Sequence, residues 1–169
     1  MNRLLSSTVA VLSALTMLLG CGDKSVNPES NLAAGKFEAT ISGDFNMTLK
    51  GGCAAFVSLP GYFQLGLTDF EHSNPNASIS FARASSSIPS VRTYSVSEEA
   101  GSSSPQDFVG LVFYANGQTN ETYISDSGSM TVSQSSSGGF SANFNFTALA
   151  GTRKITVSGK FNAIPAPCK

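Results

Sequence analysis

The side chains best equipped for chemistry in this sequence are few and poorly matched to one another. The single histidine, His72, stands in Asp69-Phe70-Glu71-His72, a run with enough donors to suggest a metal ion. Neighbouring strand residues point to opposite faces, so Asp69 and Glu71 would share a side while His72 faced away, and a common ion would need a loop. Solvated turn residues are the expected reading. A Ser-His-Asp hydrolase would have to use that same histidine, and Gly-x-Ser-x-Gly, Ser-x-x-Lys and His-Glu-x-x-His are all absent. Neither a P-loop nor Gly-x-Gly-x-x-Gly occurs. The paired carboxylates Glu98-Glu99 would alternate faces in a strand, and they lead into Gly101-Ser102-Ser103-Ser104, a loop composition. The sequence therefore predicts no catalytic residue, no metal site and no cofactor.

Cysteine is the more informative residue. Cys21 closes Leu18-Leu19-Gly20-Cys21, preceded by Arg3 and an apolar run from Leu4 to Leu19. That run is shorter than the ~20 apolar residues of a spanning helix, and the small Gly20 sits where signal cleavage requires it. Charge, apolar run, small residue and thiol in this register resemble the bacterial lipoprotein signal over the first 21 residues. The resemblance implies removal of a signal peptide at 1–20, a lipid thioether on Cys21 and anchoring in the cell envelope. Several acyl chains, each buried CH₂ contributing ~0.8 kcal/mol, would hold the protein essentially permanently. Gly22 in place of aspartate after the lipidated position implies, by the same resemblance, the outer rather than the inner membrane.

With Cys21 lipidated, Cys53 and Cys168 remain as an even pair in an oxidising compartment, which favours a disulfide. Closing a loop of about 115 residues is worth about 4 to 5 kcal/mol in the chain-entropy picture. No Cys-x-x-Cys is present to suggest redox or zinc chemistry. Residues 21–35, with Asn27-Pro28 and Glu29-Ser30-Asn31, read as a tether, and 36–169 as a single domain. Charged residues make up only 12% of the chain, eleven acidic against ten basic, so no basic face is expected and nucleic acid is not an expected partner.

The elements that would position any site are strands. Phe37, Ala39 and Ile41 alternate with polar residues, as do Phe45, Met47 and Leu49 after Gly43-Asp44. Pro60-Gly61 joins Ala54–Leu59 to Tyr62–Leu67 as a hairpin. Ala77–Arg83 and Val91–Ser97 follow. Phe108–Tyr114 is apolar on both parities, which predicts a central strand covered on both faces. Asn116-Gly117 turns it into Thr119–Ser125, and Asp126-Ser127-Gly128 predicts a further turn. The last third is a meander, with Phe140, Phe144, Phe146, Ile155, Val157 and Phe161 predicted inward and Ser141, Asn143, Asn145, Thr156, Ser158 and Lys160 outward. This meander is similar to the ends of small bacterial envelope lipoproteins, a resemblance too general to imply an activity. No stretch shows a 3.6-residue apolar period.

The pattern predicts an all-β domain: an antiparallel β-sandwich of roughly eight to ten strands, with a closed, lipocalin-like β-barrel as the alternative. Two functions fit. The first is a non-catalytic envelope lipoprotein that binds an envelope protein or plays a structural part. The second is a carrier holding a small apolar ligand inside a barrel, distinguished by an empty cavity in place of a filled core. Tyr62, Tyr94, Tyr114 and Tyr123 could serve an interface but suit ordinary strand packing better, and the absence of tryptophan weakens a sugar-stacking platform.

Overall fold

In the computed structural model, residues 32–69, 75–98 and 107–166 are described, with the side chain of Cys53 excepted. Among them are ten strands and no helix. The strands are β1 (Lys36–Gly43), β2 (Met47–Gly51), β3 (Cys53–Leu59), β4 (Tyr62–Thr68) and β5 (Asn76–Arg83). They continue with β6 (Thr93–Ser95), β7 (Val109–Ala115), β8 (Asn120–Ser136), β9 (Gly139–Ala150) and β10 (Arg153–Pro165). The all-β expectation holds.

The sandwich is replaced by its alternative. Pairing runs β10-β3-β4-β5-β7-β8-β9 and returns to β10, a closed seven-strand barrel. Closure depends on two long strands that serve different neighbours along one edge. β10 pairs with β1 over Lys36↔Asn162 to Gly43↔Ile155 and, only past that span, with β3. β8 pairs with β7 up to Leu111↔Ile124 and then with β6 from Ser95↔Ser129. A bulge between Ser125 and Ser127 bends β8 where it changes partner. The turn predicted at Asp126-Ser127-Gly128 is thus a bend inside one continuous strand. Gly128 is required there, since a Cβ would lie 2.4 Å from the Asn145 carbonyl oxygen and the Phe146 Cα.

One link in the ring departs from antiparallel pairing. β3 and β10 run parallel through Ile164↔Ala55 and Pro165↔Phe56, and the Ala166 amide donates to the Phe56 carbonyl at 2.8 Å. Upstream on the same edge, the Ala54 amide donates to the Gly35 carbonyl.

Inward residues fill the ring. Phe63, Phe81, Phe108, Phe140, Phe146 and Phe161 are all fully buried. Edge-on pairs tile the space, including Phe63 with Phe140 at 5.2 Å, Phe81 with Phe144 at 5.2 Å and Tyr94 with Phe108 at 5.3 Å between centroids. All six predicted inward residues of the meander are buried. Of the six predicted outward, Ser141 is buried: its hydroxyl donates to Asn162 Oδ1 at 3.0 Å, and Asn162 Nδ2 in turn holds the Leu32 carbonyl at 2.9 Å. β7 also differs from expectation. Gly110 and Val112 face the core, while Val109 and Leu111 are half-buried and Phe113 is exposed, so only one of its faces is covered.

Candidate functional site

Few of the residues singled out for chemistry fall among the described residues. Cys21, Cys168, Glu71, His72 and Glu99 lie outside the described residues. Cys53 opens β3, on the edge that meets β10. Asp69 is buried just past β4. Glu98 lines a groove with Asp126, Ile124 and Leu149. Among the described residues, no three of His, Cys, Asp and Glu come together in a way that could hold a metal ion. Tyr94 and Tyr123 are core residues, Tyr114 is half-buried and Tyr62 is exposed.

Aromatic side chains with charged neighbours gather in two places on the barrel. At one end Phe45, in the β1–β2 turn, stacks on Tyr114 at 4.0 Å and meets Tyr123 edge-on at 5.7 Å. The Tyr123 hydroxyl donates to Asp44 Oδ2 at 2.5 Å and lies 3.1 Å from Glu121 Oε2. Arg153 completes the group, its Nη1 2.6 Å from Glu121 Oε1 and 3.6 Å from Asp44 Oδ2. Burial first, then these two carboxylates, push the Tyr123 pKa well above the usual phenol value. Elsewhere Tyr94 carries the Arg92 guanidinium 4.4 Å over its ring and that of Arg83 at 5.4 Å. Burial raises the Tyr94 pKa, but hydrogen bonds with Ser90 and Arg92 and the two positive charges outweigh it and leave the phenol below its ordinary value.

Charge is segregated on the outside. Strand alternation turns Lys36, Glu38, Thr40 and Ser42 of β1 outward, with Thr48 and Lys50 of β2 and Lys154, Thr156, Ser158 and Lys160 of β10. Pairing sets them in rows, Lys50-Glu38-Lys160-Asn143 and Thr48-Thr40-Ser158-Asn145. Four lysines therefore face one glutamate on a wall otherwise made of hydroxyls and amides. This corrects the expectation of no basic face, because a near-neutral total hid the separation. The Lys160–Glu38 ion pair at 3.8 Å is solvent-exposed and contributes little. A groove of about 300 Å³ runs along this wall over Glu38, Thr40, Lys50, Ser158 and Lys160. Its depth follows from Gly159, where a Cβ would meet the Glu38 carbonyl oxygen at 2.4 Å and the Phe144 ring at 2.7 Å. Only glycine lets β10 lie this close to β1 and inner Phe144. Periodicity gave the outward residues of each strand, but the adjacency of β1, β2 and β10 carries no local signal.

No family model matches this chain, and comparison with known proteins and with solved structures likewise finds no match.

Proposed function

We propose that this is an envelope lipoprotein, anchored through Cys21 in the outer membrane, whose barrel is non-catalytic and acts through its outer walls. The observation that supports surface action over a carrier role is the filled interior: Phe63 has Phe56, Phe108 and Phe140 around it at 5.2 to 6.3 Å, in the space a ligand would need. A lipocalin-like cavity is the architecture of a carrier, and here the corresponding volume belongs to aromatic side chains. The lysine-bearing wall of β1, β2 and β10 suits an envelope partner that presents anionic, hydrogen-bonding groups.

Two measurements test this. Cys21→Ser should move the protein from the membrane to the soluble fraction, since the thioether is the anchor; a Ser variant that still pellets and is processed as before removes the lipoprotein reading. Crosslinked affinity capture from intact envelopes should recover a partner whose yield falls with added salt and is lost in Lys50→Glu/Lys160→Glu. Undiminished capture by that variant removes this wall from the binding surface.

A further inference from the structure

We infer that the groove across β2, β1 and β10 binds a sparsely charged acidic polysaccharide, a chain in which carboxylated sugars are set among neutral hydroxyls. This rests on the reading of that wall as the binding surface and adds the chemical class of its partner. The groove crosses only three neighbouring strands. From β2 to β10 is two strand spacings, about 10 Å, a width that fits a single extended chain. Its floor is main chain at Ala39 and Gly159, and Thr40, Thr48, Asn143 and Ser158 line it between Lys50 and Lys160. A second hollow of about 280 Å³ continues it past Glu38 and Lys50 to Lys36 and Gly52. The Lys36 ammonium lies across Gly52, where an added Cβ would be 3.1 Å from Nζ. Three lysines therefore border one path around a single glutamate.

Three features select a saccharide over other anions. The polar groups of the groove are uncommitted: among the described residues Thr40, Thr48, Asn143 and Ser158 make no side-chain hydrogen bond. On the adjoining strands, by contrast, Thr93 bonds Thr131 and Ser127 bonds Thr147, each at 3.0 Å. A hydroxyl or carboxamide both donates and accepts, as every sugar hydroxyl does, so the two sets can satisfy one another. The groove also offers no large apolar side chain among the described residues, so an acyl chain would gain nothing by entering it. Finally, Glu38 interrupts the positive charge, standing between Lys50 and Lys160 in one row. A chain with phosphate on every unit would press its charge against that carboxylate. A chain with spaced carboxylates sets one at a lysine and leaves a neighbouring sugar hydroxyl to donate to Glu38. The pattern repeats along the strands. Lys36 stands opposite Asn162 of β10, and from there to Lys154 is about 27 Å, with Thr40, Ser42, Thr156 and Ser158 between. Cations at the ends and hydroxyls in the middle suit a polymer, whose units each bind weakly and together bind well.

Full-length protein is titrated at low ionic strength with polygalacturonate oligosaccharides, with their methyl esters, with polyglutamate and with polyphosphate. Polygalacturonate should bind about tenfold or more tighter than each of the other three, since only it joins spaced carboxylates to hydroxyls. Lys50→Gln/Lys160→Gln should lose about tenfold and flatten the salt dependence. Thr48→Val/Ser158→Ala should lose several-fold with the salt dependence unchanged, an effect that charge attraction alone would not produce. Unchanged melting checks the fold of each variant. Equal binding of polyglutamate or polyphosphate overturns the saccharide and leaves a wall that attracts any anion, an acidic protein included. Polygalacturonate binding untouched by both double variants overturns the groove as its site. Absence of polygalacturonate binding overturns the inference outright; the wall itself then stands if Lys50→Glu/Lys160→Glu still abolishes capture of the envelope partner, and falls with it if capture is undiminished.

Discussion

Tyr123 shows how one side chain couples three turns of the barrel end. Its hydroxyl has one proton and two carboxylates within reach; the shorter contact, 2.5 Å, goes to Asp44, while Glu121 is served by Arg153 at 2.6 Å. Removing the hydroxyl in Tyr123→Phe leaves Asp44 short of a donor and should cost about 1 to 3 kcal/mol near neutral pH. The pH dependence has a definite sign. The folded state holds the phenol proton above its ordinary pKa, whereas the unfolded chain releases it near pH ~10. The contribution is thus complete below about pH 10 and declines as pH rises further, by up to ~1.4 kcal/mol per pH unit. Denaturant titrations from pH 9 upward should show wild type losing this increment relative to Tyr123→Phe; parallel profiles would mean that the phenol titrates normally. None of this was legible in the sequence. Asp44, the Glu121–Tyr123 pair and Arg153 stand in three separate segments, and each alone reads as an ordinary turn or strand residue.

At the level of elements, alternation was readable because period 2 leaves its mark in every strand exposed to water on one side. The β3–β4 hairpin at Pro60-Gly61 and the inward phenylalanines of β9 formed where that rule placed them. The rule failed at β7, where apolar residues on both parities suggested a second covering layer. Val109 and Leu111 are instead half-buried and Phe113 exposed on the outside of the ring, which removes one of the two reasons, beside unequal strand lengths, to prefer a sandwich to a barrel. Composition also concealed the difference between a turn and a bulge at Asp126-Ser127-Gly128, since both need small residues. Two glycines separate close approach from mere absence of a side chain. Gly159→Ala would drive a methyl into the Glu38 carbonyl and the Phe144 ring, an overpacking error costing about 1 to 3 kcal/mol or more. Gly66→Ala meets open space at a φ outside the left-handed region, and should leave stability unchanged or raise it by about 0.4 to 1 kcal/mol. Thermal or denaturant melts of the two variants check this; equal losses would mean that β10 does not pass so close to β1.

For the whole molecule the decisive contact is the shortest one, the parallel seam between β3 and β10. Six of the seven links in the ring are antiparallel ladders of at least five paired positions, whereas this one has two. Ala54 bonds Gly35 and Ala166 bonds Phe56, so the edge of β3 is covered by the start of the domain and by its last described residues. A chain ending at Ala163 loses the downstream half of that cover and should open at the seam. Hydrogen exchange would then show β3 amides losing protection while the β8–β9–β10 meander keeps its own; unchanged protection in β3 would mean that the upstream contact suffices. The cysteine pair bears on the same seam. Cys53 begins β3, and the parallel direction places Ala166 beside Phe56, three residues further along. Cys168, two residues later, must fold back toward the start of β3 to bring the Cα atoms within the ~7 Å a disulfide allows. If it does, the bond staples the weakest link of the ring. The mature protein unfolded without reductant should then leave both thiols unlabelled, and reductant alone should loosen β3 as the truncation does. Labelling of both cysteines without reductant would remove the bond and leave the seam held by its backbone pairs alone.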